Sequence, residues 1–264
     1  MPSLDSIFRD LRASGRTALM PFITAGYPSL QVTEQVIPVL EEAGASVIEL
    51  GIPFSDPIAD GPVIAASMHE ALLGGATPAK IFEMVRRLRR GTRLGLVAMV
   101  SYSIVDRHGP GRFVADAADA GFDGLIIPDI DLDAADVIRP IADGHNLSLS
   151  MLIAPTTTPA RMARLVRLCT GFVYLLARVG ITGERADAPE IAQRVEALRA
   201  LTTLPIAAGF GISKAEHVAA VTRVADAAIV GSALVRRMGA ARDPVEEARR
   251  FVSELSEATV VQMK

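Results

Sequence analysis

Short apolar runs punctuate the chain at 17–24, 46–51, 94–100, 124–128, 147–153, 172–176, 205–208 and 226–231, most of them bounded by Gly, Pro, Asp or Ser. Their length and their β-branched or leucine-rich content predict strands rather than helices. Between them lie stretches with helical spacing of apolar positions, at 32–43, 78–90, 113–120, 133–143, 159–169, 190–200 and 214–222, with 244–260 closing the chain. Ahead of the first run, Leu4, Ile7, Phe8 and Leu11 share one face of a further helix. The segments EAGASVIEL, DAGFDGLII and VADAAIV repeat one junction, in which small residues with Gly or Asp lead into an apolar run. Such a junction suits a tight return from a helix to a parallel strand. Eight strand–helix alternations without a linker predict an α/β fold, a (β/α)8 TIM barrel in one domain spanning 1–264, with an extra N-terminal helix and a C-terminal helix. A doubly wound open sheet is the alternative.

Composition narrows the class. With 264 residues, 50% of them hydrophobic and 22% charged, the chain can bury a large core, which excludes disorder. A net charge of −3 with both signs interspersed offers nucleic acid no basic surface. No apolar run approaches the roughly 18 residues of a membrane span, and the charged amphipathic start is unlike a secretory signal. A cytoplasmic location without membrane or nucleic-acid partners is expected. Cys169, the one cysteine, sits among Leu165, Val166 and Leu168 and reads as a helix core residue rather than a reactive thiol.

On a barrel, chemistry belongs at the C-terminal ends of the strands. In SVIELGI, period-2 alternation sets Ile48, Leu50 and Ile52 against the helices and turns Glu49 into the barrel, where no strand supplies a Lys or Arg to pair it. Burial would raise its pKa and make it a proton donor near neutral pH. Asp60, before Gly61 and Pro62, reads equally as a catalytic carboxylate and as a helix N-cap, and Asp56 before Pro57 reads first as a turn former. Glycine turns in GFGIS and IVGSALV lead into helix starts after the last two runs and suit a phosphate ester, although glycine is common in such turns anyway. Tyr174 alternates with Phe172 and Leu176 and either lines a pocket or fills core. Lys80, Lys214 and Lys264 lie on helices or at the terminus, which closes Schiff-base chemistry. His69, His108, His145 and His217 are scattered and predict no catalytic metal.

The stretch ELGIPFSDPIADGP resembles the signature of the tryptophan synthase alpha subunit family, and the likeness continues in PFITAGYPS, ATPAKIFEMVR, LIAPTTTPAR, YLLARVGITGER, GFGIS and IVGSALV. The resemblance implies a carbon–carbon lyase of tryptophan biosynthesis that cleaves indole-3-glycerol phosphate to indole and glyceraldehyde 3-phosphate, with Glu49 and Asp60 as catalytic carboxylates. By the same likeness, Gly183, Phe210, Gly211, Gly231 and Ser232 would hold the phosphate. Phe22, Tyr102, Ile153, Tyr174 and Thr182 would surround the indole and glycerol chain. It implies no cofactor in this chain, pyridoxal phosphate belonging to a beta-subunit partner.

Departures from the family pattern cluster in the loops. Tyr102, Ser103 and Ile104 stand where the family usually carries Tyr-Asn-Pro, Asp131 replaces a usual proline, and Ala177 and Val179 replace usual hydroxyl residues. Since the loops bearing Ser103, Ile104 and Asp131 face the beta subunit in the family, altered coupling to that partner is expected. A stand-alone lyase releasing free indole, or a regulatory subunit with weak catalysis, are the alternatives.

Overall fold

A computed structural model describes residues 3–56, 60–177, 191–209 and 211–259. The strands are β1 (Ala18–Thr24), β2 (Val47–Gly51), β3 (Gly95–Met99), β4 (Gly124–Ile126), β5 (Ser148–Ser150), β6 (Leu152–Ile153), β7 (Val173–Leu176), β8 (Ile206–Gly209) and β9 (Ala227–Val230). All pairings are parallel, in the order β5-β4-β3-β2-β1-β9-β8-β7-β6. β5 pairs with β4 and β6 with β7, so the two are halves of one strand position, broken at Met151. The sheet thereby curls into the expected (β/α)8 TIM barrel rather than an open doubly wound sheet.

The helices are α1 (Leu4–Ala13), α2 (Leu30–Glu42), α3 (Pro62–Leu73), α4 (Pro78–Leu88), α5 (Tyr102–His108), α6 (Pro110–Ala120), α7 (Leu132–Gly144), α8 (Pro159–Leu168), α9 (Ala192–Arg199), α10 (Ala215–Thr222), α11 (Ser232–Ala240) and α12 (Pro244–Ser256). α5 lies inside what the sequence presents as a loop. Its amide cap comes from Asp129, whose Oδ1 accepts from Tyr102 N–H at 2.7 Å, and a cap 27 residues away leaves no local signal. Cys169 stands one residue past α8, in extended conformation, where its Sγ accepts from Met151 N–H at 3.3 Å and burial pushes the thiol up to about 12.

Strand alternation separates two cores. Outward residues such as Ile48, Leu50, Leu96, Ala98, Leu149 and Leu175 pack beneath the helices. Inward residues Met20, Val47, Val97, Ile126, Phe172 and Tyr174 fill the barrel together with Leu4 and Phe8 of α1. The Phe8 and Phe172 ring centroids are 6.0 Å apart. α1 therefore closes the N-terminal end of the barrel.

The repeated junction proves to be a polar device in two of its three copies. Ahead of β4, Asp123 N–H donates to Leu96 O at 2.8 Å while Oδ2 accepts from Leu96 N–H at 2.8 Å. Asp226 ahead of β9 repeats both bonds with Ile206, at 2.9 and 2.8 Å. Each aspartate is also paired with arginine, Asp123 with Arg89 and Asp226 with Arg12 and Arg199.

Candidate active site

At the opposite end, the C-terminal ends of the strands open into a cavity of about 770 Å³. Glu49 lines it from β2, in register with Phe22 of β1 and Val97 of β3. Its carboxylate is fully buried, and neither oxygen has a hydrogen-bond partner among the described residues. Desolvation disfavours the charged form and holds the Glu49 pKa well above the usual carboxylate range. Burial thus biases Glu49 toward its protonated form.

Asp60 also lines the cavity and is half-buried. The N-cap of α3 is Gly61, with no side-chain cap bond, so Asp60 is not spent on the helix. Burial raises its pKa to about 6, which leaves it mostly ionised at pH 7. Desolvation raises both carboxyls of the cavity, and Glu49 is the more deeply buried of the two. α3 is tied to the end of β1 by a 2.7 Å bond between Thr24 Oγ1 and Ser67 Oγ, and Ser67 Oγ donates in turn to Ile64 O at 2.8 Å. This anchors the helix that follows Asp60. Asp56 borders the cavity but accepts from Ser55 Oγ at 2.6 Å, in keeping with a turn former.

Tyr174 both packs with the barrel interior and lines the cavity. A Cβ at Gly209 would stand 2.8 Å from its hydroxyl, so glycine makes room for the phenol. Burial, then the nearby charges of Glu49 and Asp60, push the Tyr174 pKa well up and keep the phenol protonated.

Phe22, Gly211, Gly231 and Ser232 join the same wall. Gly211 has φ +81°, a left-handed conformation that favours glycine, and Gly231 is the N-cap of α11. No side chain caps α10 or α11, in contrast to the Ser, Thr or Asp caps of α1, α2, α4, α7, α8 and α12. The start of α11 at Gly231 and Ser232 borders the cavity, whereas in α10 the His217 amide already donates to Lys214 O at 3.1 Å. Thr182, Gly183, Phe210 and Val179 lie outside the described residues.

Two expected residues stand elsewhere. Ile153 is fully buried in the outer core, while Leu152 faces the cavity, because alternation runs Leu149, Met151, Ile153 outward and Ser150, Leu152 inward. Tyr102 begins α5 and packs against the outer core, and its neighbours Ser101 and Ser103 line the cavity instead. Met68, Met99, Leu176 and Asp129 are further wall residues that the sequence did not single out. For Leu176, alternation with Tyr174 was signal enough. Asp131 is the N-cap of α7, its Oδ1 accepting from Ala134 N–H at 2.7 Å. Among the described residues no three His, Cys, Asp or Glu side chains gather as a metal site would need, and no helix is long and apolar enough to cross a membrane.

Residues 8–263 match the profile of the family described as Tryptophan synthase alpha chain. The chain belongs to the tryptophan synthase alpha chain family. It is 45% identical to the tryptophan synthase alpha chain of Chloroflexus aggregans, over 98% of both chains. With that of Geobacter sulfurreducens it shares 41% identity over 98% of this chain and 99% of the relative. Among solved structures, tryptophan synthase of Mycobacterium tuberculosis superposes with a TM-score of 0.90 at 32% identity, covering 98% of this chain and 99% of that one. Tryptophan synthase subunit alpha of Legionella pneumophila gives 0.89 at 32% identity and 98% of both. An alpha chain barrel of this family thus presents Glu49 and Asp60 to one cavity.

Proposed function

We propose that this chain is the lyase subunit of tryptophan synthase, cleaving indole-3-glycerol phosphate to indole and glyceraldehyde 3-phosphate with Glu49 and Asp60 as its catalytic groups. The observation that carries this reading is the buried Glu49 carboxyl, without a hydrogen-bond partner among the described residues, in a cavity shared with a second carboxyl, Asp60, that burial also raises. Direct cleavage would expel a poor carbanion, so indole C3 is first protonated by Glu49. The ring nitrogen then carries positive charge, and the Asp60 carboxylate accepts its N–H and stabilises that charge. As the carbon–carbon bond breaks, its electron pair returns to the ring and releases neutral indole. The side-chain hydroxyl becomes the aldehyde and returns its proton to Glu49, restoring the acid. Phe22 and Tyr174 wall the ring. Amides at Gly211, Gly231 and Ser232, with Gly183, Phe210 and Thr182 beyond the described residues, hold the phosphate and glycerol end.

A tryptophan synthase beta subunit is the partner that family membership points to, with pyridoxal phosphate on that subunit. Asp131 spends its carboxylate on capping α7, so its charge is compensated within its own loop. The experiment is indole release from indole-3-glycerol phosphate by the isolated chain, then with a beta subunit added. Release that depends on Glu49 and rises with the partner supports the reading. No release under either condition overturns it, and release unchanged by the partner favours a stand-alone lyase.

A further inference from the structure

Among the described residues five arginines donate to backbone carbonyls at the ends of strands or helices or in the turns between them, and four of them do so at the closed end of the barrel. Arg12 reaches Thr203 O, Arg89 reaches Leu94 O, Arg139 reaches Arg167 O and Leu168 O, and Arg199 reaches Leu204 O. Arg194 is the exception among the described residues. Its Nη1 donates to Leu176 O and its Nη2 to Ala177 O, both at 2.6 Å, at the catalytic end of β7. It is the third residue of α9, where the positive end of the helix disfavours a cation. It is also half-buried and forms no ion pair with any described residue.

The guanidinium is spent on two carbonyls at once, and those carbonyls identify its role. The β7–β8 ladder ends at Leu176 with Gly209, and Ala177 N–H adds one bond to Gly209 O at 2.7 Å. Beyond that point the β7 carbonyls are held by Arg194. Tyr174 and Leu176, which line the cavity, belong to this strand end.

We propose that Arg194 is a positioning residue, a clamp that fixes the end of β7 so that Tyr174 and Leu176 present one surface to the substrate. This rests on the lyase reading of the cavity. The same helix supplies a matched control, since Arg199 at its other end clamps Leu204 O and pairs with Asp226 far from the cavity.

The test compares Arg194→Met, Arg194→Lys and Arg199→Met by steady-state indole release, thermal unfolding and amide hydrogen exchange of residues 172–177. Arg194→Met is expected to lose about tenfold in kcat/KM, because a small misplacement of a pocket wall is amplified in the rate. Its Ala177 amide should exchange faster. Lys keeps the charge but cannot bridge two carbonyls as a planar fork does, so it recovers only part of the loss. Arg199→Met should lower the unfolding temperature at least as much yet keep kcat/KM within about twofold. An Arg194→Met enzyme within twofold of wild type, or an Arg199→Met enzyme with the same kinetic loss, overturns the proposal. If Arg194→Met does not fold, the Lys variant carries the comparison, and full activity with unchanged exchange in it is equally fatal. A wild-type chain that releases no indole overturns the lyase reading instead, and the clamp then stands or falls on exchange alone.

Discussion

The two ends of the barrel treat buried carboxylates in opposite ways. At the closed end, Asp123 and Asp226 each accept from a strand amide and pair with arginine. Burial raises the Asp123 carboxyl, and Arg89 with the Leu96 amide opposes the shift. At the open end, Glu49 is buried completely without a hydrogen-bond partner among the described residues, and burial raises the partly buried Asp60 as well. One end spends its carboxylates on holding strands together. The other leaves them in a state the fold alone would not favour, as reactive groups require.

The sharpest way to break this contrast is Glu49→Gln. Turnover should fall by roughly two to three orders of magnitude with substrate binding nearly intact, because a proton donor is lost and its shape is kept. Unfolding temperature should be unchanged or higher, since a buried ionisable group has been removed. Near-normal indole release would refute the assignment.

Arg89→Met at the closed end should do the reverse. Stranding a buried Asp123 should destabilise the fold by about 3–5 kcal/mol in urea titrations. Turnover per folded molecule should hold steady, and a large kinetic defect there would dissolve the division between the ends.

Asp60 sharpens the comparison through pH. Its pKa rises from 3.8 to about 6 on folding, so between those values the folded state binds more protons than the unfolded one. Its contribution to stability therefore falls as pH rises through that window, and Asp60→Asn should remove that slope from thermal unfolding curves. The rate should climb as Asp60 ionises near pH 6 and decline at higher pH as Glu49 loses its proton. An acidic limb that survives in residual Asp60→Asn activity would assign it to another group.

The smallest expected effect is at Gly211. A β-branched residue at φ +81° is strained and narrows the amide cradle, so Gly211→Val should raise KM and the inhibition constant of glycerol 3-phosphate about tenfold with kcat little changed. Unchanged competition would place the phosphate elsewhere.

Much of this was legible in the sequence because the relevant physics is local. Strand positions followed from apolar runs, and the inward aim of Glu49 followed from alternation, which the cavity bears out. What was not legible depends on contacts distant in sequence. α5 needed Asp129 to cap it across two loops. The choice between helix cap and reactive group at Asp60 turned on whether Gly61 or Asp60 held the N-cap position, a shift of one residue that Asp-Gly-Pro does not encode. The placement of Ile153 failed for another reason. Alternation from Leu149 points Ile153 outward, against what the family likeness implies. The repeated junction showed a recurring return to the sheet but not its purpose. Ser46, in the copy that lacks the aspartate, keeps the backbone bond to Leu19 O at 3.0 Å without the carboxylate clamp.

The stopper formed by α1 has a consequence for traffic. With Leu4 and Phe8 filling the floor, no route runs through the N-terminal end of the barrel, and traffic to and from the cavity passes on the side of the strands' C-terminal ends. Anything seated over that side, a partner included, stands in the path of both fragments of a cleaved molecule.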